Sequence, residues 1–177
     1  MSVGKLKSIG GLAGNDNGGG LTQKWWFAPI EDFLLLKPLK AVGTPGDAVT
    51  VDGDHTFTSP KGFYPMYATM NESMVKMAIA GERDNETYKV EFEAYIPGND
   101  PATAEVMRTV KNMDCIVLCQ HNTGEVEQLG NELLQVRLNA SYDSGKQGSG
   151  KKGWIVKGDC FQQSKQFYPG VITINAE

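Results

Sequence analysis

The chain has 177 residues, a formal net charge of −4 and 40% hydrophobic side chains, a size at which one domain buries about 70% of the surface its unfolded form exposes. It therefore needs no disulfide or metal to hold it together, and its acidic balance speaks against a general nucleic-acid binder, which presents a basic face. No apolar run approaches the length that spans a bilayer, and the glycine-broken start Met1–Gly14 is no signal peptide, so the protein is expected to stay in the cytoplasm where it is made.

Residues 1–20 are glycine-rich, with Leu6, Ile9 and Leu12 as apolar residues three apart. They cannot form a core by themselves. The segment is predicted to be a flexible N-terminal arm: either a disordered tail, or an arm that lays Leu6, Ile9 and Leu12 on a neighbouring copy. Residues 21–177 read as a single domain. Thr22–Ile30 and Phe33–Leu36 are strand-like. Pro38, Pro45 and Gly46 break the chain before predicted strands at Ala48–Val51, His55–Ser59 and Phe63–Thr69.

From Ser73 the pattern sharpens. Val75, Met77 and Ile79 alternate with Met74, Lys76 and Ala78, and a turn at Gly81–Asn85 leads into Tyr88, Val90, Phe92, Ala94 and Ile96, which alternate with Lys89, Glu91, Glu93 and Tyr95. That is a long amphipathic hairpin. One helix is predicted over about 100–112, capped at Asn99 or Asp100 ahead of Pro101, with Thr103, Val106, Met107 and Val110 on one face. Cys115–His121 follows as an apolar strand, then a turn at Asn122-Thr123-Gly124. A second long hairpin closes the domain: Leu133–Ser141 and Trp154–Phe161 keep a period of two around the glycine-lysine loop Gly145–Gly153. The sum is mainly β: an antiparallel β-sandwich or barrel with one flanking α-helix, long hairpins and an arm.

Motifs that could carry chemistry are incomplete. Gly145 to Lys151 reads G-x-x-x-x-G-K, but Lys152 stands where a phosphate-binding loop needs Ser or Thr for magnesium, and strand rather than helix follows. Cys115, Cys119 and His121 share one face of a strand, yet a fourth ligand is missing and free cysteine in an apolar strand behaves as a small hydrophobe. The odd count of three cysteines fits reduced thiols. His55 and His121 accompany no recognisable nucleophile, and Glu91 and Glu93, two apart on a strand, share its wet face with Lys89. No catalytic residue, cofactor or metal is expected.

The order of Phe63–Thr69, the Gly81-Glu82-Arg83-Asp84 turn, Phe92–Pro97, the single helix, and Ser144-Gly145 through Gly153-Trp154 to Phe167-Tyr168-Pro169 resembles tail tube and related tail structural proteins of tailed bacteriophages, over about Leu21 to Tyr168. The resemblance implies a virion structural protein made in the host cytoplasm and located in the tail. Its partners would be itself, in six-membered rings that stack into a tube, other tail proteins, and DNA passing non-specifically down the lumen, with no membrane. Long hairpins and terminal arms bridge subunits in such proteins. Leu6, Ile9, Leu12, Lys146, Lys151 and Lys152 are then candidate subunit contacts, and Glu91 and Glu93 a possible lumen face, because an acidic or neutral wall lets a phosphate backbone slide where a basic one grips it. The competing reading is a monomeric β-sandwich that binds carbohydrate or peptide on Trp25, Trp26, Tyr64 and Tyr67.

Overall fold

A computed structural model describes residues 4–10 and 18–176. Its strands are β1 (Leu21–Pro29), β2 (Phe33–Leu35), β3 (Thr56–Phe57), β4 (Tyr64–Tyr67), β5 (Met74–Ala80) and β6 (Thr87–Pro97), then, after helix α1 (Pro101–Val110), β7 (Asp114–His121), β8 (Val126–Leu129), β9 (Val136–Asp143), β10 (Gly153–Gln162) and β11 (Gln166–Phe167). The fold is mainly β with one helix, as the patterning predicts. One large antiparallel sheet runs β11-β8-β7-β9-β10-β6-β5, β1 pairs with both β7 and β4, and β2 and β3 form a separate two-stranded sheet.

The large sheet curls. On the path β4-β1-β7-β9-β10-β6-β5 the two end strands are consecutive in sequence, and Thr69, just beyond β4, donates its N–H to the Tyr95 carbonyl of β6 at 2.8 Å. Inside the curl lies the main core, with Trp25, Phe27, Val90, Phe92, Val117, Cys119, Leu129, Val136 and Val156. Gly158 is required there: a Cβ on it would stand 2.4 Å from the Phe92 ring and 2.8 Å from Val136. Its missing side chain is what lets Phe92 lie across β10 and reach Trp25, at 5.5 Å between ring centres. Helix α1 adds Met107 and Val110 to the same core. Asp100 caps it, accepting from the Thr103 N–H and hydroxyl at 2.8 Å each. The helix ends at Val110 rather than 112, because Asn112 turns left-handed (φ 66°).

A second core lies on the opposite face of β1 and β7, where Ala28, Ile116 and Leu118 meet Val51, Phe63 and Tyr168 under β2, β3 and the C-terminal segment. Strand β7 is therefore dry on both faces, with Cys115 to Cys119 all fully buried. The chain after β11 runs beside Phe63, whose N–H donates to the Thr173 carbonyl.

Two further expectations are corrected, and two strands are added. Ala48–Val51 is no strand: Gly46 turns left-handed (φ 104°) into a short 3-10 turn over Asp47–Val49, and the Asp47 carboxylate accepts from the Gly43 N–H and the Thr44 hydroxyl. Only bridges at Thr50 and Val51 remain. Strand β8 and the short β11, unmarked by period, are present, and Glu127, Gln128 and Gln166 within them are buried. The first strand of the closing hairpin starts at Val136, leaving Leu133 exposed.

A buried polar cluster ties the two sheets together. The Lys37 N–H donates to His55 Nδ1 at 3.0 Å, so Nε2 carries the imidazole proton and donates to Gln128 Oε1 at 2.7 Å. The Gln128 amide donates in turn to the Gly130 carbonyl and to Gln166 Oε1, and Tyr168 stacks on the imidazole at 4.6 Å. Burial pushes the His55 pKa below its ordinary 6.5, and Nδ1 has no free lone pair for a second proton. A base with a lowered folded pKa contributes stability that is present above its unfolded pKa and is lost as pH falls from about 6.5 toward the lower folded value. The melting temperature should accordingly fall more steeply between pH 7 and 5 in the parent than in His55→Asn. Parallel slopes would remove His55 from the pH dependence.

Candidate assembly surface

The wet side of the curled sheet is a four-stranded face made by β5, β6, β10 and β9. Because side chains alternate across a pleated strand, the pairing register stacks the outward residues into rows. One row runs Met74, Glu93, Lys157 and Asn139; the next runs Lys76, Glu91, Asp159 and Arg137, and continues to Asp114 of β7. With Lys89, the face carries four cations and four carboxylates, and most of them are paired. Lys157 reaches Glu93 at 3.0 Å, Arg137 reaches Asp114 at 3.0 Å, and Lys89 reaches Glu91 at 2.7 Å.

Glu91 and Asp159 stand directly opposite each other, a like-charge pair that on its own destabilises a sheet. Lys89 resolves it by touching both, with Asp159 at 3.7 Å. The hydrogen bond and charge of Lys89 hold the Glu91 carboxyl below its usual range, and Lys76 adds to the effect. The Lys89 ammonium is held above its ordinary value by the same bond. Glu91 and Glu93, read as candidates for a lumen wall, thus lie on one face, which is charge-balanced rather than acidic.

Strand β5 borders this face and, among the described residues, pairs only with β6, leaving its outer edge open. Met74, Ala78 and Ile79 are exposed along it, Ile79 at 63%. An open seven-residue edge with a single lysine is what proteins ordinarily blunt or cover.

The predicted subunit contacts fall into three situations. Leu6 and Ile9 are both 99% exposed and join neither core among the described residues, while Lys5 reaches across to the Gly43 carbonyl; Leu12 lies outside the described residues. Lys146 and Lys152 are exposed and make no ion pair among the described residues. Lys151 is turned back on its own subunit, where it pairs with Glu72 and sits 5.9 Å above the Tyr95 ring. The loop joins two antiparallel strands, β9 and β10, with no helix behind it, so the G-x-x-x-x-G-K motif lacks the strand-to-helix setting that phosphate binding needs.

The aromatic residues weighed as a binding platform are split between layers. Trp25 is in the main core, Trp26 packs on the second core, and Tyr64 stacks on Phe27 at 5.6 Å. Tyr67 alone is half exposed. Comparison with known protein families, with curated proteins and with solved structures finds no match.

The bridging role of Lys89 is testable by a cycle. Lys89→Ala should lower the melting temperature, the loss should shrink in high salt, and Asp159→Asn added to Lys89→Ala should restore part of it. A double variant no more stable than Lys89→Ala would show that the carboxylates do not repel across the strands.

Proposed function

We propose that this chain is a virion structural protein whose copies form rings, and whose rings stack into the tail tube through which phage DNA passes. The observation that carries the reading is the long charge-balanced face of β5, β6, β10 and β9 ending in an open edge strand. Four cations offset by four carboxylates give a passing phosphate backbone neither the counterion release that would hold it nor a strong barrier. The open β5 edge offers backbone N–H and C=O groups, with exposed Ala78 and Ile79 beside them, to a strand of the next subunit. Leu6 and Ile9 are not covered by the described residues, which fits an arm that seats on a neighbour. The order of elements, two long hairpins with one helix between them, agrees with the tail-protein resemblance.

In this reading the enzyme class is set aside, and exposed Lys146 and Lys152 at the tip of the β9–β10 loop are cationic contacts toward the next ring. Each such exposed pair contributes only about 0.2–1 kcal/mol, so stacking depends on repetition around the ring.

Sedimentation and negative-stain imaging of the purified chain test the proposal. Concentration-dependent rings or tubes are expected. Ala78→Glu with Ile79→Lys, and separately removal of residues 1–20, should leave a folded protein with nearly unchanged melting that no longer assembles. A chain that stays monomeric at every concentration overturns the proposal, and saturable sugar or peptide binding by that monomer would establish the binding-module alternative.

A further inference from the structure

At the end of the main core, beside the β7–β8 turn, the Cys119 thiol, the His121 imidazole and the Glu127 carboxylate lie with their ligand atoms within 4.8 Å of one another. Strand spacing accounts for two of them: Cys119 and His121 are two apart on β7 and share a face. Cross-strand register supplies the third, since Glu127 of β8 stands directly opposite Cys119. Cys115 shares that face of β7 and is buried in the same core, but it stands a further four residues along the strand and is not in the cluster. Of the three residues that strand spacing puts on one face, Cys119 and His121 are in the cluster, and Glu127 stands where Cys115 was the third candidate.

The cluster already holds a cationic side chain. Glu127 is 2% exposed, and a buried carboxylate persists only with a positive partner. Here the partner is Lys165, whose ammonium stands 3.3 Å from Glu127 Oε2, while His121 Nε2 approaches the same oxygen at 2.6 Å. Lys165 comes from the segment before β11, is about one-third exposed, and rests its ammonium 5.2 Å from the Phe167 ring. It can swing into solvent, whereas the other three groups are held by the sheet.

We propose that Cys119, His121 and Glu127 form a binding site for a divalent transition-metal ion of the zinc class, with Lys165 as the resident cation that the metal displaces. Tetrahedral ligation at ordinary zinc distances places ligand atoms roughly 3.4–3.6 Å apart. The imidazole and carboxylate, now 2.6 Å apart, must part by about 1 Å, a small adjustment for side chains at the end of a strand. The partly exposed His121 is the route of entry, with 23% of its side chain accessible. The charges also balance. Binding releases the thiol proton to solvent, the proton that His121 Nε2 shares with Glu127 moves to Nδ1 so that Nε2 can ligate, and Lys165 withdraws its charge, which leaves one thiolate, one carboxylate and a neutral imidazole around a dication, a neutral assembly. Water or a neighbouring group completes the fourth position.

Cobalt(II) added to the full chelator-treated chain is the probe, because a thiolate-to-cobalt absorption band in the near ultraviolet reports ligation by cysteine and by nothing on the surface. One equivalent should develop the band, and zinc(II) should abolish it. Cys119→Ala and His121→Ala should lose it, each checked for folding by circular dichroism, while Cys115→Ala and Cys160→Ala should keep it. Lys165→Met should shift the cobalt midpoint to lower concentration, an effect that a merely structural ion pair would not give. Absence of the band in the parent, its persistence in Cys119→Ala, or a midpoint in Lys165→Met that is unchanged or higher overturns the proposal.

Discussion

Everything in this fold depends on β7 being dry on both sides. Its five residues Cys115 to Cys119 have no accessible surface, and its backbone is hydrogen-bonded to β1 on one edge and to β8, then β9, on the other. A strand in that position contributes side chains to two cores at once, Val117 and Cys119 to one, Ile116 and Leu118 to the other. Full burial of such apolar side chains contributes about 1.5–3 kcal/mol each, so the strand sets the register of everything paired with it. The continuous apolar run is the sequence form of a strand covered on two faces.

Because β7 cannot carry charge along its buried length, polar function is pushed to its ends and to the strands two and three places away. At the far side of the sheet, β6 and β10 present an outer face whose rows each combine both signs of charge. The balance there is local, with Lys89 placed between two carboxylates that would otherwise repel, so the face is polar without a strong field of either sign. Its border is a strand edge left unpaired among the described residues, and in the proposed tail-tube role the near-neutral wall is what a polyanion would pass.

Short β8 explains how the two cores are kept distinct. Glu127 points into the rim of the main core and Gln128 into the second, each buried and each satisfied by partners from elsewhere: His121 and Lys165 for the carboxylate, His55 and Gln166 for the amide. A slip of one residue would exchange the two side chains between the faces and leave both without partners. The polar pair therefore specifies register where apolar residues alone would tolerate an alternative.

Much of the architecture was legible from the sequence because it is written in local periods. The alternation from Val75 to Ile96 and from Val136 to Cys160 marked both long hairpins, and Pro101 with the Val106, Met107 and Val110 stripe marked the helix, whose cap, open between Asn99 and Asp100 in the sequence, is Asp100 in the structure. Strands β8 and β11 were not legible, since Glu127, Gln128 and Gln166 look like surface residues until partners remote in sequence are known; His55 and Gln128 are 73 positions apart. The same applies to the sites. Sequence showed that Glu91 and Glu93 share a wet face, but only the pairing of β6 with β10 put Lys157 and Asp159 beside them and made the face neutral. It marked Lys151 as a free projecting charge, and the approach of Glu72 and Tyr95 turned it inward. It placed Cys119 and His121 together, while Glu127 joined them through cross-strand register. Periodicity determines which residues share a face of one strand; which strands lie side by side is decided by burial across the whole chain, and that is what brings charges and ligands into contact.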